Sequence, residues 1–269
     1  MTDTLEHDAA ARVCANCATP AIGDYCHACG QRIGVHRLTL PHFLHEIPHA
    51  IFHVDRGILV TLRALATRPG RMINDYLDGH RIRYFNPLSL LMLLAGICAY
   101  AYSNFPFDFS VQDGSIPRPF AEFNASMNKW IFVHYSLFAV TVLPIQALFS
   151  LWFFKGRRSY GEHLAIHAYL TAFNCAINIV SLPVFMMANG TAIYQPLLML
   201  NALVMIGYNF IATWAVFSPH RSTVGGLVRS IATTCAPLLL GAIAMIVSFM
   251  VFLIRHPDIA KQMHQAAPH

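Results

Sequence analysis

The sequence predicts an all-α membrane protein of about five transmembrane helices, preceded by a small polar head and amphipathic helices. Three observations carry that prediction. Apolar residues make up 56% of the 269 residues and charged ones only 12%, a balance that suits lipid better than water as solvent. Five apolar runs, at about 88–104, 130–154, 163–187, 194–217 and 227–254, are each near the length a helix needs to cross the hydrocarbon core. Four of the seven cysteines, by contrast, lie together in the polar stretch before the first run.

The head is taken as residues 1–37. Its acidic, polar start, Met1-Thr2-Asp3-Thr4-Leu5-Glu6-His7-Asp8, lacks the basic and apolar regions of a signal peptide, so the N-terminus is expected to stay in the mature protein. Cys14-x-x-Cys17 and Cys26-x-x-Cys29-Gly30 follow, eight residues apart. Two such pairs on tight turns can complete a tetrahedral thiolate site, the geometry zinc prefers. In an oxidising compartment the same cysteines would form two disulfides; in a reducing one they hold metal. A four-cysteine site is closed to water, so its zinc would be structural, and Arg12, Arg32 and Arg37 can offset its negative charge. Cys98, Cys175 and Cys235 fall singly in apolar runs and read as small core residues.

Residues 38–87 form the second unit, of amphipathic juxtamembrane helices. His42, His45, His49 and His53 fall on one helical stripe, opposite Phe43, Leu44, Ile47, Ala50, Ile51 and Val54. Such a segment lies at the membrane interface with its histidines in water, or forms a second metal site or a pH-sensitive surface. Pro48 is a point for a kink or restart. Ile58–Ala66 continues as helix, and Pro69 opens another that ends at Gly79. The stretch Arg68 to Pro87 joins the watery head to the lipid-facing part, with Tyr84-Phe85 suited to the headgroup layer.

The third unit, 88–254, is the five-span bundle, and 255–269 its exterior tail. Nine Lys and Arg residues precede position 88, three lie in 155–162 and two in 218–229; the other side has Arg118, Lys129, Arg255 and Lys261. That asymmetry places the head in the cytoplasm, and an odd number of spans places the C-terminus outside. A cytoplasmic head in turn favours zinc over disulfides. The loop 105–129 becomes the main exterior segment, expected to be irregular and partly buried. A net charge of +5 could attract nucleic acid, but the basic residues flank apolar runs without an aromatic-interleaved face, so no nucleic acid is expected.

The third span carries the richest pattern. Glu162 and His163 open it, and His167, Thr171, Asn174, Asn178 and Ser181 recur within about 80° of His163 on a helix. Lipid penalises such a stripe, so it should face the bundle interior or a watery crevice. Partners available in other spans are His134, Thr141, Gln146, Asn201, Tyr208 and Asn209. Three readings stand: interhelical packing, a ligand or ion crevice, or a second metal or haem site using Glu162, His163 and His167.

Cys14-x-x-Cys17, Cys26-x-x-Cys29-Gly30-Gln31, Arg68-Pro69-Gly70, then Tyr76-Leu77-x-Gly79-x-Arg81-x-Arg83-Tyr84-Phe85-Asn86-Pro87 and Tyr160-x-Glu162-His163-x-x-x-His167 together resemble a bacterial family of membrane proteins of unknown function with an N-terminal zinc ribbon. The resemblance runs from residue 14 to roughly 175. It implies an inner-membrane protein of a Gram-negative bacterium and supplies no activity.

No nucleophile elbow or phosphate-binding glycine loop occurs in the chain. The expected function is therefore a zinc ribbon that is structural or recruits a cytosolic protein partner, on a bundle that anchors it in the bilayer or offers a ligand crevice. A small-molecule or ion transporter and a membrane enzyme or haem protein are the alternatives.

Overall fold

The computed structural model describes residues 12–21, 23–33, 57–105, 118–156, 158–218, 223–255 and 257. The histidine-bearing stretch 42–53 and nearly all of the tail 255–269 lie outside the described residues.

The head is a two-turn unit. Strands β1 (Arg12–Val13) and β2 (Pro20–Ala21) pair antiparallel, and Tyr25 bridges Arg32. Between them lie two turns of one design: Ala18 N–H donates to the Cys14 carbonyl at 2.9 Å, and Gly30 N–H to that of Cys26 at 2.8 Å. The residue after the second cysteine is left-handed in both, with φ of 57° at Ala18 and 74° at Gly30.

Two short helices follow, α1 (Gly57–Thr67) and α2 (Pro69–Leu77). Pro69 starts α2 where its missing N–H costs nothing. Gly79 (φ 107°) ends the turn, with Asp78, Gly79 and His80 returning their N–H groups to Asn74, Tyr76 and Asp75. The expected end at Gly79 is thus its left-handed exit. Asn86 caps the next helix by accepting from the N–H groups of Leu88 and Ser89.

Five apolar helices make the bundle: α3 (Pro87–Asn104), α5 (Tyr135–Phe153), α6 (Tyr160–Ala188), α7 (Tyr194–Phe217) and α8 (Thr223–Arg255), with α4 (Arg118–Val133) between the first two. Four of them, α3, α6, α7 and α8, are long and apolar enough to cross a membrane among the described residues. The apolar run 130–154 is divided at His134, where α4 hands over to α5. The loop expected over 105–129 is helical from Arg118 onward, a difference with a local cause. Pro119 sits where a first-turn proline is tolerated, and Phe123 packs against Phe249 and Phe252 of α8 at ring separations of 5.1 and 5.2 Å.

Helix α6 is the axis. It packs on α3, α5 and α7 and touches α1 and α2, and every residue from Gly161 to Leu170 is buried. Tyr169 lies edge-on to Tyr76 with centroids 5.3 Å apart, and its hydroxyl donates to the Phe85 carbonyl at 2.7 Å. Helix α2 seats against the end of α7: a Cβ on Gly70 would stand 2.5 Å from the carbonyl carbon of Ala215, so only glycine permits that approach. Asn74 Nδ2 donates to the Val216 carbonyl beside it at 3.0 Å.

Candidate functional site

Four sulfurs converge in the head. The Sγ atoms of Cys14, Cys17, Cys26 and Cys29 all lie within 4.8 Å of one another, with Cys14 to Cys29 at 3.6 Å and Cys17 to Cys26 at 3.5 Å. Four thiolates around one ion at about 2.3 Å would sit about 3.8 Å apart. The donor set therefore fits a metal site. The Thr19 hydroxyl and backbone N–H hold the Cys17 thiol down at about 6. At Cys29 the Gln31 backbone pulls the other way, but desolvation and the sulfurs of Cys17 and Cys14 prevail and raise it to about 11. Crowded sulfurs that cannot all ionise unaided are what a bound cation relieves.

The head is not loose. Gln31, one residue beyond the second turn, is buried and hydrogen-bonds the backbone of the loop that leaves α2. The Arg81 guanidinium lies over the Tyr76 ring at 5.4 Å. The metal turns are thereby tied to the joint from which the first apolar helix departs.

The polar stripe of α6 is divided among three environments. Glu162 is buried but turned back to its own helix start. Its Oε2 accepts from Ser159 N–H at 2.7 Å while Ser159 Oγ accepts from Glu162 N–H at 3.2 Å, a reciprocal capping box. Arg158 compensates the charge at 3.6 Å and also reaches Asp78 and Asn74 of the α2 end, each at 3.1 Å. The signal for this role was readable as Ser-x-x-Glu at 159–162, which reasoning from the carboxylate alone overlooks.

His163 packs inward. Its Nδ1 lies 2.8 Å from Ser150 Oγ of α5 and its ring stacks on Phe217 at 5.5 Å. Farther along, Asn201 Nδ2 of α7 donates to Asn178 Oδ1 at 2.9 Å, and Ser181 donates to Asn201 Oδ1 at 3.2 Å. Half of the stripe is thus interhelical hydrogen bonding. Glu162, His163 and His167 do not form a converging ligand set; among the described residues only the four cysteines do. Asn174 joins neither cluster, and its Oδ1 has no hydrogen-bond partner among the described residues.

His167 stands apart. It lines a cavity of about 80 Å³ among α5, α6, α7 and α8, with Gln146, Asn209, Thr213, Thr233 and Thr234. His167 Nε2 and the hydroxyls of Thr233 and Thr234 are buried there without a partner among the described residues. Pro237 also lines it, and a proline four residues beyond Thr233 removes the N–H that would engage the Thr233 carbonyl. Counting 1.5 Å per residue, the polar groups lie about 6–17 Å in from one end of the bundle. The two threonines escaped the reading of the third span because they belong to the last one, where Pro237 four positions on was the available signal.

Residues 55–98 match the model of a family described as a protein of unknown function (DUF3667). The match covers α1, α2, the joint and most of α3. Neither a curated protein nor a solved structure matches the chain.

Proposed function

We propose that the chain is a membrane-anchored binding protein of a bacterial inner membrane, with a cytoplasmic zinc ribbon and a five-span bundle that receives a small uncharged ligand. The observation that carries the binding role is the cavity: among the described residues, three unpartnered buried polar atoms, two amide side chains and no charged side chain line one space. Burying such atoms costs about 1–3 kcal/mol each unless something satisfies them, and a neutral hydrogen-bonding molecule does so without bringing a charge into lipid. The zinc ribbon supports the joint through Gln31, and Val13 and Tyr25, largely exposed on it, offer a cytosolic partner a small apolar contact. The lysine and arginine asymmetry supports the orientation.

Two measurements test this reading. Elemental analysis of detergent-purified protein should give one zinc per chain, lost from a Cys14→Ser/Cys17→Ser variant and kept by His163→Ala/His167→Ala; metal that survives the cysteine changes counts against the ribbon. Native mass spectrometry should find a small co-purifying molecule that Thr233→Val/Thr234→Val releases. If nothing co-purifies and that variant is simply more heat-stable, the cavity is a packing defect and the binding role is lost.

A further inference from the structure

A second concavity lies outside the bundle, at the joint. Val60, Arg63, Ala64 and Thr67 of α1, with Arg68 and Arg83, line a groove of about 410 Å³. The three arginines are exposed, and no carboxylate among the described residues lines the groove. The ion pairs among the described residues belong to Arg158, and the guanidinium groups of Arg63, Arg68 and Arg83 make no hydrogen bond or ion pair there. Three positive charges facing one space repel each other and are relieved by an anion.

The groove is held rigid. Phe85 N–H donates to Thr61 Oγ1 at 2.8 Å, and Thr61 in turn donates to the Gly57 carbonyl at 2.7 Å, so α1 is fastened to the segment that carries Arg83. Tyr208 of α7 donates to the Leu65 carbonyl at 3.3 Å from the bundle side. Arg83 cannot stray, because only three residues separate it from Pro87 at the start of α3; that stretch spans at most about 14 Å. The outward face of α1 carries Leu59 and Val60 beside Arg63, and Ile82 precedes Arg83, all three apolar side chains being exposed. Apolar surface flanking cations beside a membrane-length helix matches the layer where acyl chains meet phosphates.

We infer that this groove is a binding site for the phosphate of an anionic phospholipid, gripped by Arg63, Arg68 and Arg83 with the lipid's acyl chains along Leu59, Val60 and Ile82. The inference rests on the membrane reading above. Guanidinium forks suit phosphate because two parallel N–H donors meet two oxygens. Occupation of the groove would fix α1 at the headgroup level and, through Phe85, the point where α3 enters the bilayer.

The test uses the full-length protein in detergent, titrated with short-chain phosphatidylglycerol and followed by native mass spectrometry. Phosphatidylcholine, inorganic phosphate and a charge-matched Arg71→Gln/Arg229→Gln/Arg255→Gln variant serve as controls. Arg63→Gln/Arg68→Gln/Arg83→Gln should weaken phosphatidylglycerol binding by about tenfold or more, as removal of three interfacial charges dictates, and the three corresponding Arg→Lys changes should restore part of it. Unchanged helicity and zinc content show that the variant is folded, and carbonate extraction of membranes shows separately whether it is still integral. Equal affinity for phosphatidylcholine, an equal loss in the charge-matched variant, or displacement of the lipid by millimolar inorganic phosphate would overturn the assignment. An integral protein without lipid preference sinks this site alone, whereas a protein extracted by carbonate sinks the membrane reading itself.

Discussion

The side-chain amide of Gln31 donates to the carbonyl oxygen of Gly79 at 2.7 Å, while its carbonyl oxygen accepts from the backbone N–H groups of Arg81 at 3.1 Å and Ile82 at 3.3 Å. One buried amide thus satisfies three backbone groups 48 to 51 residues away. The Cβ that Gly79 lacks would come 3.0 Å from Ala15 Cβ, so the two backbones meet closely at this seam.

Gln31→Leu leaves those three groups unpaired at a buried seam and should cost about 1–3 kcal/mol of head-to-bundle docking. Hydrogen exchange should accelerate at Arg81 and Ile82 while the metal stays bound. Loss of metal with no change in exchange would mean that Gln31 serves the metal turns alone.

Gly70→Ala forces a methyl group to within 2.5 Å of the Ala215 backbone, and overpacking of this kind costs about 1–3 kcal/mol or more. Gly96→Ala in α3 meets nothing within 4 Å and should gain about 0.5–1 kcal/mol from helix propensity. Thermal unfolding in detergent should move the two variants in opposite directions.

Ala18 occupies in the first metal turn the left-handed position that Gly30 holds in the second. Ala18→Gly should therefore strengthen the head by about 1 kcal/mol, and Gly30→Ala should weaken it by a similar amount. Resistance of the bound metal to a chelator, measured as a release rate, should rank Ala18→Gly above wild type and wild type above Gly30→Ala.

Cys17 is exposed and its thiol is lowered to about 6, whereas Cys29 is raised to about 11. In chelator-treated protein at pH 7.4, iodoacetamide should modify Cys17 well before Cys29, because the thiolate is the reacting form. A lowered value means that the thiolate exists above it and disappears as pH falls through about 6. Alkylation of Cys17, mapped by peptide mass, should therefore be nearly level between pH 7 and pH 8 and drop as pH falls through about 6, and a rate that still climbs about tenfold per pH unit up to pH 8, as an ordinary thiol's does, would contradict the Thr19 contacts.

The features legible in the sequence were those with a short period or a fixed spacing. Two cysteine pairs announce a four-sulfur cluster, and runs such as 163–187 and 194–217 announce α6 and α7 almost to the residue, because length and apolarity are local properties. Stripe geometry correctly aimed His163 and Asn178 inward. It did not reveal Ser150 and Asn201 as the groups that meet them, since helix neighbours are chosen by tertiary packing. Glu162 has a local explanation in the capping box with Ser159. Gln31 was legible only as the residue after Cys29-Gly30, and nothing near it in the chain points to Gly79. The His167 cavity draws one wall from Thr233 and Thr234, 66 and 67 positions on, and no periodicity connects them.

The seat of Gly70 and Asn74 on residues 215 and 216 also sets an order of events during biosynthesis. Asn74 waits 142 residues for its acceptor, the Val216 carbonyl. At ordinary elongation rates that delay is on the order of 10 s. Throughout it the α2 face that will meet α7 stands uncovered while α3 through α6 emerge from the ribosome. The nascent chain must therefore hold its N-terminal part in reserve, and the head can reach its final position only after nearly the whole bundle has been made.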